Sequence, residues 1–273
     1  MNEGKKRKKI GLALGSGGVR GLAHIGVIKK LIEHDIPIDY IVGSSIGAWV
    51  GAYYALFQDV KKLEEYTIEK KKEKFMALLE PTLGGGLIKG DKVEKLLALW
   101  LNDAEFKNTK IPLKIIATDL VTGEAIVFRE GKLASAIRAS ISVPTFLAPV
   151  KMKGKLLVDG GLSNPVPDEV VRRMGADIVI SVNLDNYIKN EEFLKTKNQS
   201  MSNVTQRSLN ILRYHLSRYS TSSSDIVIEP HTPVIGIRSF KDYFENKITS
   251  SLVKSGEVET EKIIRKLKAI MKV

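Results

Sequence analysis

The sequence predicts an α/β fold: a mostly parallel sheet with helices on both faces, in a single domain. Three observations predict it. Short apolar runs of strand length alternate with stretches of helical spacing almost throughout. Each glycine motif follows such a run, at the carboxyl end of a strand, where parallel sheets bind their ligands. The 43% hydrophobic content of the 273 residues is enough for a sizeable core.

The elements follow in order. Residues 9–14, KIGLAL, read as a strand that ends in the glycine turn GSGGVRG. Leu22, Ile25, Ile28, Leu31 and Ile32 then recur at helical spacing, and Pro37 closes that unit. DYIV at 39–42 is the second strand, and GSSIG turns it into a buried helix over 48–57. Residues 59–79 are charged and helical in pattern, read as a solvated helix, with a lid or membrane-facing helix as the alternative. After the turn at Gly84, Gly85 and Gly86, Asp91 caps a helix through Val93, Leu96, Leu97 and Trp100. LKIIAT at 113–118 is a buried strand, AIVF at 125–128 another, and 132–139 a helix. Residues 156–158 make a short strand running into Asp159-Gly160-Gly161; 167–174 suggest a helix, 178–184 a β-rich run and 226–228 a late strand. Polar segments at 189–203 and 220–224 flank a helix at 204–219. Ile248, Leu252, Gly256, Ile263, Leu267 and Ile270 mark an amphipathic C-terminal helix. The predicted organisation is a basic arm, 1–9, and one domain, 10–273.

Composition narrows the chemistry. With no cysteine, disulfides, thiolate nucleophiles and Cys-type zinc sites are excluded. The net charge is +12, and Lys5, Lys6, Arg7, Lys8 and Lys9 concentrate part of it in the arm. A basic surplus suits anionic partners. Peripheral contact with an anionic membrane is expected and nucleic acid is not; the alternative is a merely solvated surface. Residues 5–19 imitate a signal peptide and the uncharged run 40–58 a membrane span. Glycine and serine dilute both, so a cytoplasmic protein is expected.

Three motifs carry the chemistry. Gly43-Ser44-Ser45-Ile46-Gly47 matches G-x-S-x-G between a strand and a helix, the setting of a nucleophile elbow. Gly15-Ser16-Gly17-Gly18-Val19-Arg20-Gly21 offers backbone amides in a concave turn, with Arg20 as a fixed charge. The rival reading of this turn is a dinucleotide cradle in an oxidoreductase. Against it, Arg20 breaks the G-x-G-x-x-G spacing, and Asp39 precedes the second strand instead of ending it. Asp159, followed by Gly160 and Gly161, places a carboxylate at a strand end. His24, His34, His215 and His231 have no motif context and read as structural. Asp119 reads as a turn carboxylate, while Ser140 and Ser142 are candidates for shaping the pocket.

The ordered set GSGGVRGLAHIG, GSSIGA and DGGLSNPVP resembles the patatin-like phospholipases, and ATDLVTGE and RASISVPTFLAPV resemble further blocks of their bacterial members. The likeness runs from about Ile10 to Leu184. It implies a three-layer α/β/α fold and lipid ester hydrolysis by a Ser-Asp dyad without histidine. Carried over by position, Ser45 is the nucleophile and Asp159 its base. Gly17, Gly18 and Arg20 form the oxyanion site, and Gly43, Gly47, Gly160 and Gly161 support the motifs. No cofactor or metal is implied. One departure is Ser16, where the family commonly has a further glycine. A non-catalytic, membrane-associated regulator on the same fold is the remaining alternative.

Overall fold

The computed structural model describes residues 7–82, 84–186, 194–195, 199–232 and 248–272. The chain opens with β1, Ile10–Leu14, then α1, Leu22–Glu33, β2, Tyr40–Ser44, and α2, Ile46–Phe57. Next come α3, Val60–Ile68, α4, Lys71–Leu78, β3, Gly86–Ile88, and α5, Asp91–Trp100. They are followed by β4, Leu113–Asp119, β5, Ala125–Phe128, α6, Leu133–Ser140, β6, Thr145–Leu147, β7, Val150–Met152, and β8, Lys155–Asp159. The last described elements are α7, Asp168–Arg172, β9, Ile178–Val182, α8, Met201–Tyr219, β10, Ile226–Ile228, and α9, Thr249–Lys272.

Eight strands form one sheet in the order β10-β9-β1-β2-β4-β8-β7, with β5 also on β4. From β10 to β4 the pairs are parallel; β5 and β8 run antiparallel to β4, and β7, antiparallel to β8, returns to the direction of the array. This is the three-layer, mostly parallel architecture the sequence predicts. β1 shows why two helical layers form. All five of its residues are buried. Ile10, Leu12 and Leu14 enter the larger core with α1, α2 and α9, while Ala13 packs with Val170, Val171 and Val179 on the other face. Burying each large aliphatic side chain contributes about 1.5–3 kcal/mol. The α7 side takes small residues because α7 lies close: a Cβ on Gly11 would sit 2.7 Å from the Ala176 Cβ.

α9 is the expected amphipathic C-terminal helix, and it packs on α1. The two backbones nearly touch. A Cβ on Gly26 would lie 2.0 Å from the Val253 carbonyl oxygen, and one on Gly256 would lie 2.0 Å from that of Ala23.

Some elements differ from the expectation. The stretch 59–79 is two helices, α3 and α4, and α2 starts directly after Ser45. The pair β3 and β6, and β7, have three residues each, too few for a periodic pattern to mark them. Of the basic arm, residues 1–6 lie outside the described residues. Arg7, Lys8 and Lys9 are bonded into the fold: Arg7 to Asp39 at 2.6 and 2.7 Å, Lys8 Nζ to the Ile270 carbonyl at 2.9 Å, and Lys9 Nζ to the Tyr40 hydroxyl at 3.0 Å. Among the described residues no helix is long and apolar enough to cross a membrane.

Candidate active site

The geometry of Ser45 follows from its glycines. Its backbone stands at φ 56° and ψ −123°, a conformation side chains other than glycine rarely adopt. The chain can turn there because Gly43 and Gly47, two residues to either side, carry no side chain. A Cβ on Gly43 would lie 2.3 Å from the Gly47 carbonyl oxygen, and one on Gly47 would lie 2.1 Å from that of Leu14. The Ser45 amide donates to Ser140 Oγ at 2.8 Å, which pins the turn to α6. Ser45 therefore stands at the N-terminus of α2, where the helix dipole favours negative charge.

Asp159 reaches the same point along a different route. β5 occupies one edge of β4 over residues 115–118, so β2 and β8 share the other edge. β2 pairs with residues 113–116 and β8 with 117–119, in opposite directions. Their carboxyl ends meet head to head, Ser44 opposite Ile116 and Asp159 opposite Ala117. The aspartate does end its own strand, as expected, but that strand runs against the parallel array. Gly160 fits the junction because a Cβ there would lie 2.3 Å from the Ile116 carbonyl oxygen.

The Ser45 hydroxyl donates to Asp159 Oδ2 at 2.5 Å. The Gly161 amide donates to Oδ1 at 2.8 Å. Thr118 Oγ1 donates to the Asp159 carbonyl at 2.8 Å, and the Asp159 amide donates to the Ser142 carbonyl at 3.0 Å, so the backbone is held from both sides. Both side chains are buried. Burial pushes the Asp159 carboxyl above its ordinary value, against the opposing hydrogen bonds from Ser45 and Gly161.

The glycine turn spends its first two amides on structure: Gly15 donates to the Val182 carbonyl at 3.1 Å and Ser16 to that of Pro165 at 2.8 Å. The amides of Gly17 and Gly18 follow, and Gly18, at φ 56°, borders the same cavity as Ser45. Arg20 corrects the expectation. Its amide donates to the Gly17 carbonyl, and its buried guanidinium is spent on the carbonyls of Gly17 and Leu184 and on Asp185 at 2.7 Å. It braces the turn from within instead of offering a donor to a ligand. Asp185 also accepts from Arg213 of α8 at 3.1 Å, and Arg213 donates to Ser16 Oγ at 3.2 Å.

Asp185 and Arg213 were not singled out in the sequence. Asp185 follows the β-rich run 178–184, a strand-end carboxylate that could have been flagged; Arg213 carries no local signal. Asp119 is the expected turn carboxylate, accepting from the Val121 amide at 3.1 Å and from Lys155 at 3.0 Å. Ser142 Oγ accepts from Arg138 at 2.6 Å.

The histidines take other partners. His24 donates from Nε2 to the Gly15 carbonyl at 2.7 Å, and burial lowers its pKa to about 4. His34 pairs with Glu261, His215 packs edge-on against Tyr214, and the His231 carbonyl accepts from Ser255.

Ser45 and Gly18 lie at one side of a cavity of about 250 Å³. Its walls are almost wholly apolar, with Trp49, Leu97, Trp100, Ile137 and Phe146 among them. That is slightly below the roughly 300–1,000 Å³ of pockets that take drug-sized ligands. Such a shape suits a single hydrocarbon chain better than a nucleotide, which needs polar partners along its length.

Comparison with known proteins bears on the fold and the family. The VipD structure from Legionella pneumophila aligns at a TM-score of 0.62 over 95% of this chain and 67% of that one, at 13% identity, a likeness of fold alone. An uncharacterised NTE family protein of Mycobacterium bovis is 37% identical over 186 residues, which is 67% of this chain and 51% of that protein. Patatin-like phospholipase domain-containing protein 6 of Homo sapiens is 32% identical over 200 residues, 71% of this chain but 14% of that protein. This chain thus spans about half the length of its mycobacterial relative. The model of the patatin-like phospholipases matches residues 12–171, a span that takes in the glycine turn, Ser45 and Asp159. With more than half of the chain so matched, it belongs to the patatin-like phospholipase family.

Proposed function

We propose that this chain is a serine hydrolase that cleaves carboxylic esters of lipids through Ser45 and Asp159. The observation that carries the reading is the 2.5 Å hydrogen bond between those two residues at the side of an apolar cavity. The cavity would take the acyl chain and present its carbonyl carbon to Ser45 Oγ. Asp159 Oδ2 accepts the hydroxyl proton as the Oγ–C bond forms. The carbonyl oxygen becomes an oxyanion, which takes its hydrogen bonds from the amides of Gly17 and Gly18 in this proposal. The tetrahedral intermediate collapses, the alcohol or lysolipid leaves with the proton from Asp159, and an acyl-enzyme remains. Water then attacks that ester while Asp159 accepts its proton; the proton returns to Ser45 Oγ as the fatty acid departs. A carboxyl whose proton affinity is raised by burial suits this role, because a general base works best with a pKa nearer the operating pH.

The domain reading belongs to the same proposal: residues 10–273 form one catalytic domain, preceded by the basic arm. The oxidoreductase alternative is weakened by how the turn is used. Arg20 is committed to Asp185, and Asp39 to Arg7 and the Ile10 amide. A regulator without turnover differs only in activity, so the test is chemical. A fluorophosphonate probe should label wild type at Ser45, and short p-nitrophenyl esters should be hydrolysed. Absence of both label and turnover, or labelling at another serine, refutes the reading.

A further inference from the structure

The exposed side of α4 mixes charged side chains, Lys72 and Glu73, with large apolar ones. Lys74, Ala77 and Leu78 line the cavity from one side of the helix. Phe75 and Met76, on the same helix, are 52% and 54% exposed, and Leu79, just beyond it, is 48% exposed. The chain then folds back as a hairpin: the Thr82 amide donates to the Leu87 carbonyl at 3.2 Å, and the Lys89 amide donates to that of Glu80 at 2.8 Å. Leu87, on the returning strand, is 69% exposed. Four large apolar side chains thus stand exposed on α4, whose other side lines the cavity, and on the hairpin after it. Scattered single hydrophobic residues need no explanation, but a group of this kind on one face does.

The charge around the group is one-sided. Between residues 70 and 95 the sequence has seven lysines and four carboxylates. All four carboxylates are engaged. Glu73 accepts from Trp100 Nε1 at 3.0 Å, Glu80 from the Lys92 amide at 2.9 Å and Glu94 from Ser135 at 2.6 Å, while Asp91 pairs with Lys89 at 2.5 Å. Lys72, Lys92 and Lys95 are exposed.

We propose that α4 and the hairpin after it form the face by which this chain docks on an anionic lipid bilayer. Phe75, Met76, Leu79 and Leu87 enter the headgroup region, and the lysines around them meet acidic lipids. Exposed aromatic and aliphatic residues beside basic ones are what an interfacial helix requires. A second copy of the chain fits less well, because pairing the face with itself would oppose two sets of lysines. The location also differs from the basic arm, whose Arg7, Lys8 and Lys9 are bonded into the fold at the start of β1. The inference deepens the lipid-ester reading by naming the surface from which an acyl chain would enter, but docking itself does not require catalysis.

The test is flotation with vesicles of phosphatidylcholine alone and of phosphatidylcholine mixed equally with phosphatidylglycerol. Wild type and Ser45→Ala should float with the mixed vesicles. The triple variant Phe75→Ser, Met76→Ser, Leu79→Ser should bind at least about tenfold more weakly. It should keep its thermal melt and its rate on a short soluble ester. A second variant, Lys72→Glu with Lys95→Glu, leaves the apolar group intact and should lose the preference for phosphatidylglycerol. A chain lacking residues 1–6 should bind as wild type does. Undiminished flotation of both surface variants, absence of wild-type flotation, or loss of flotation on removing residues 1–6 alone each overturns the proposal. So does a wild-type dimer in sedimentation that the triple variant abolishes. Vesicle binding through this face without ester hydrolysis would refute the catalytic reading and leave docking intact; hydrolysis of detergent-dispersed lipid with no role for the face would do the reverse.

Discussion

Ser45→Gly and Ser45→Ala, compared with each other, separate the strain of the elbow from its chemistry. Both remove the hydroxyl, leave Asp159 Oδ2 without its 2.5 Å donor and, under the proposed mechanism, end turnover. An orphaned buried acceptor costs about 1–3 kcal/mol, but that cost is common to both variants and cancels between them. What differs is the backbone. Alanine must still hold φ 56° and ψ −123° against its Cβ, a cost of order 1–3 kcal/mol for a residue in a sparsely populated region. Glycine does not pay that cost, but it loses about 0.5–1 kcal/mol more to conformational entropy on folding. The balance is roughly 0–2.5 kcal/mol in favour of glycine. For a chain of 273 residues, at about 2–4 °C per kcal/mol, Ser45→Gly should melt up to about 10 °C above Ser45→Ala. Calorimetry measures the difference and a p-nitrophenyl ester measures turnover. A glycine variant that melts below the alanine variant would refute the reasoning, because the strain at the elbow would then be smaller than the entropy cost of glycine.

Asp159→Asn keeps shape but cannot accept a proton, so ester turnover should fall by at least about 10²-fold. The sign of its stability effect is fixed by burial. The folded carboxyl holds its proton more tightly than the unfolded one, so wild-type stability falls as pH rises from the ordinary value of 3.8 to the raised folded value. Melting curves of the Asn variant should lack that fall; an identical pH dependence would contradict the raised value. Arg213→Met should reduce kcat by several-fold to about tenfold, since a hydrogen bond to a charged group contributes about 1.5–3 kcal/mol and this one is partly exposed. It should also move the acid limb of the pH-rate profile upward, because the positive charge of Arg213 favours ionised Asp159; an effect confined to KM would place Arg213 in substrate binding instead. Gly256→Leu drives a side chain into the α1 backbone and should cost at least about 1–3 kcal/mol of stability, read as a lower melting temperature; an unchanged melt would mean the helices separate freely.

The parts of the site that were legible in the sequence are those that a short local motif marks. Gly43 must be small because backbone atoms four and five residues on fill the space of a Cβ, and Gly47 because the Leu14 carbonyl of the adjoining strand does. That leaves a readable G-x-S-x-G. The Asp159 motif was legible as an Asp-Gly-Gly at the end of an apolar run, although the atoms that crowd its glycines belong to Ile116 and Ser16, and its meeting with Ser45 was not legible. That meeting depends on β5 claiming one edge of β4, which forces β2 and β8 onto the other, and no local pattern encodes such a choice of edge. Arg20 looked like a substrate-facing charge because its partner, Asp185, lies 165 residues away. α4 was read as solvated because its charges are conspicuous. That Phe75 and Met76 stand exposed among those charges becomes visible only once the cavity shows which side of the helix is inside.

The absence of histidine from the proposed dyad follows from the same burial that defines the site. Removing a group from water disfavours whichever of its forms is charged, so a carboxyl gains proton affinity and an imidazole loses it. Both effects occur around the glycine turn. Asp159 is pushed upward, toward a base that can take a hydroxyl proton near neutral pH. His24 is lowered to about 4 and stays neutral, so its Nε2–H can hold the Gly15 carbonyl at 2.7 Å without burying a charge. Exchanging their roles would fail on both counts. An imidazole at the position of Asp159 would have to become a buried cation to accept the Ser45 proton, with its affinity already reduced. A carboxylate at the position of His24 would face the carbonyl oxygen of Gly15 and repel it. Under the proposed mechanism, this environment therefore selects the carboxylate as base and leaves the histidine to keep the amides of the turn in place.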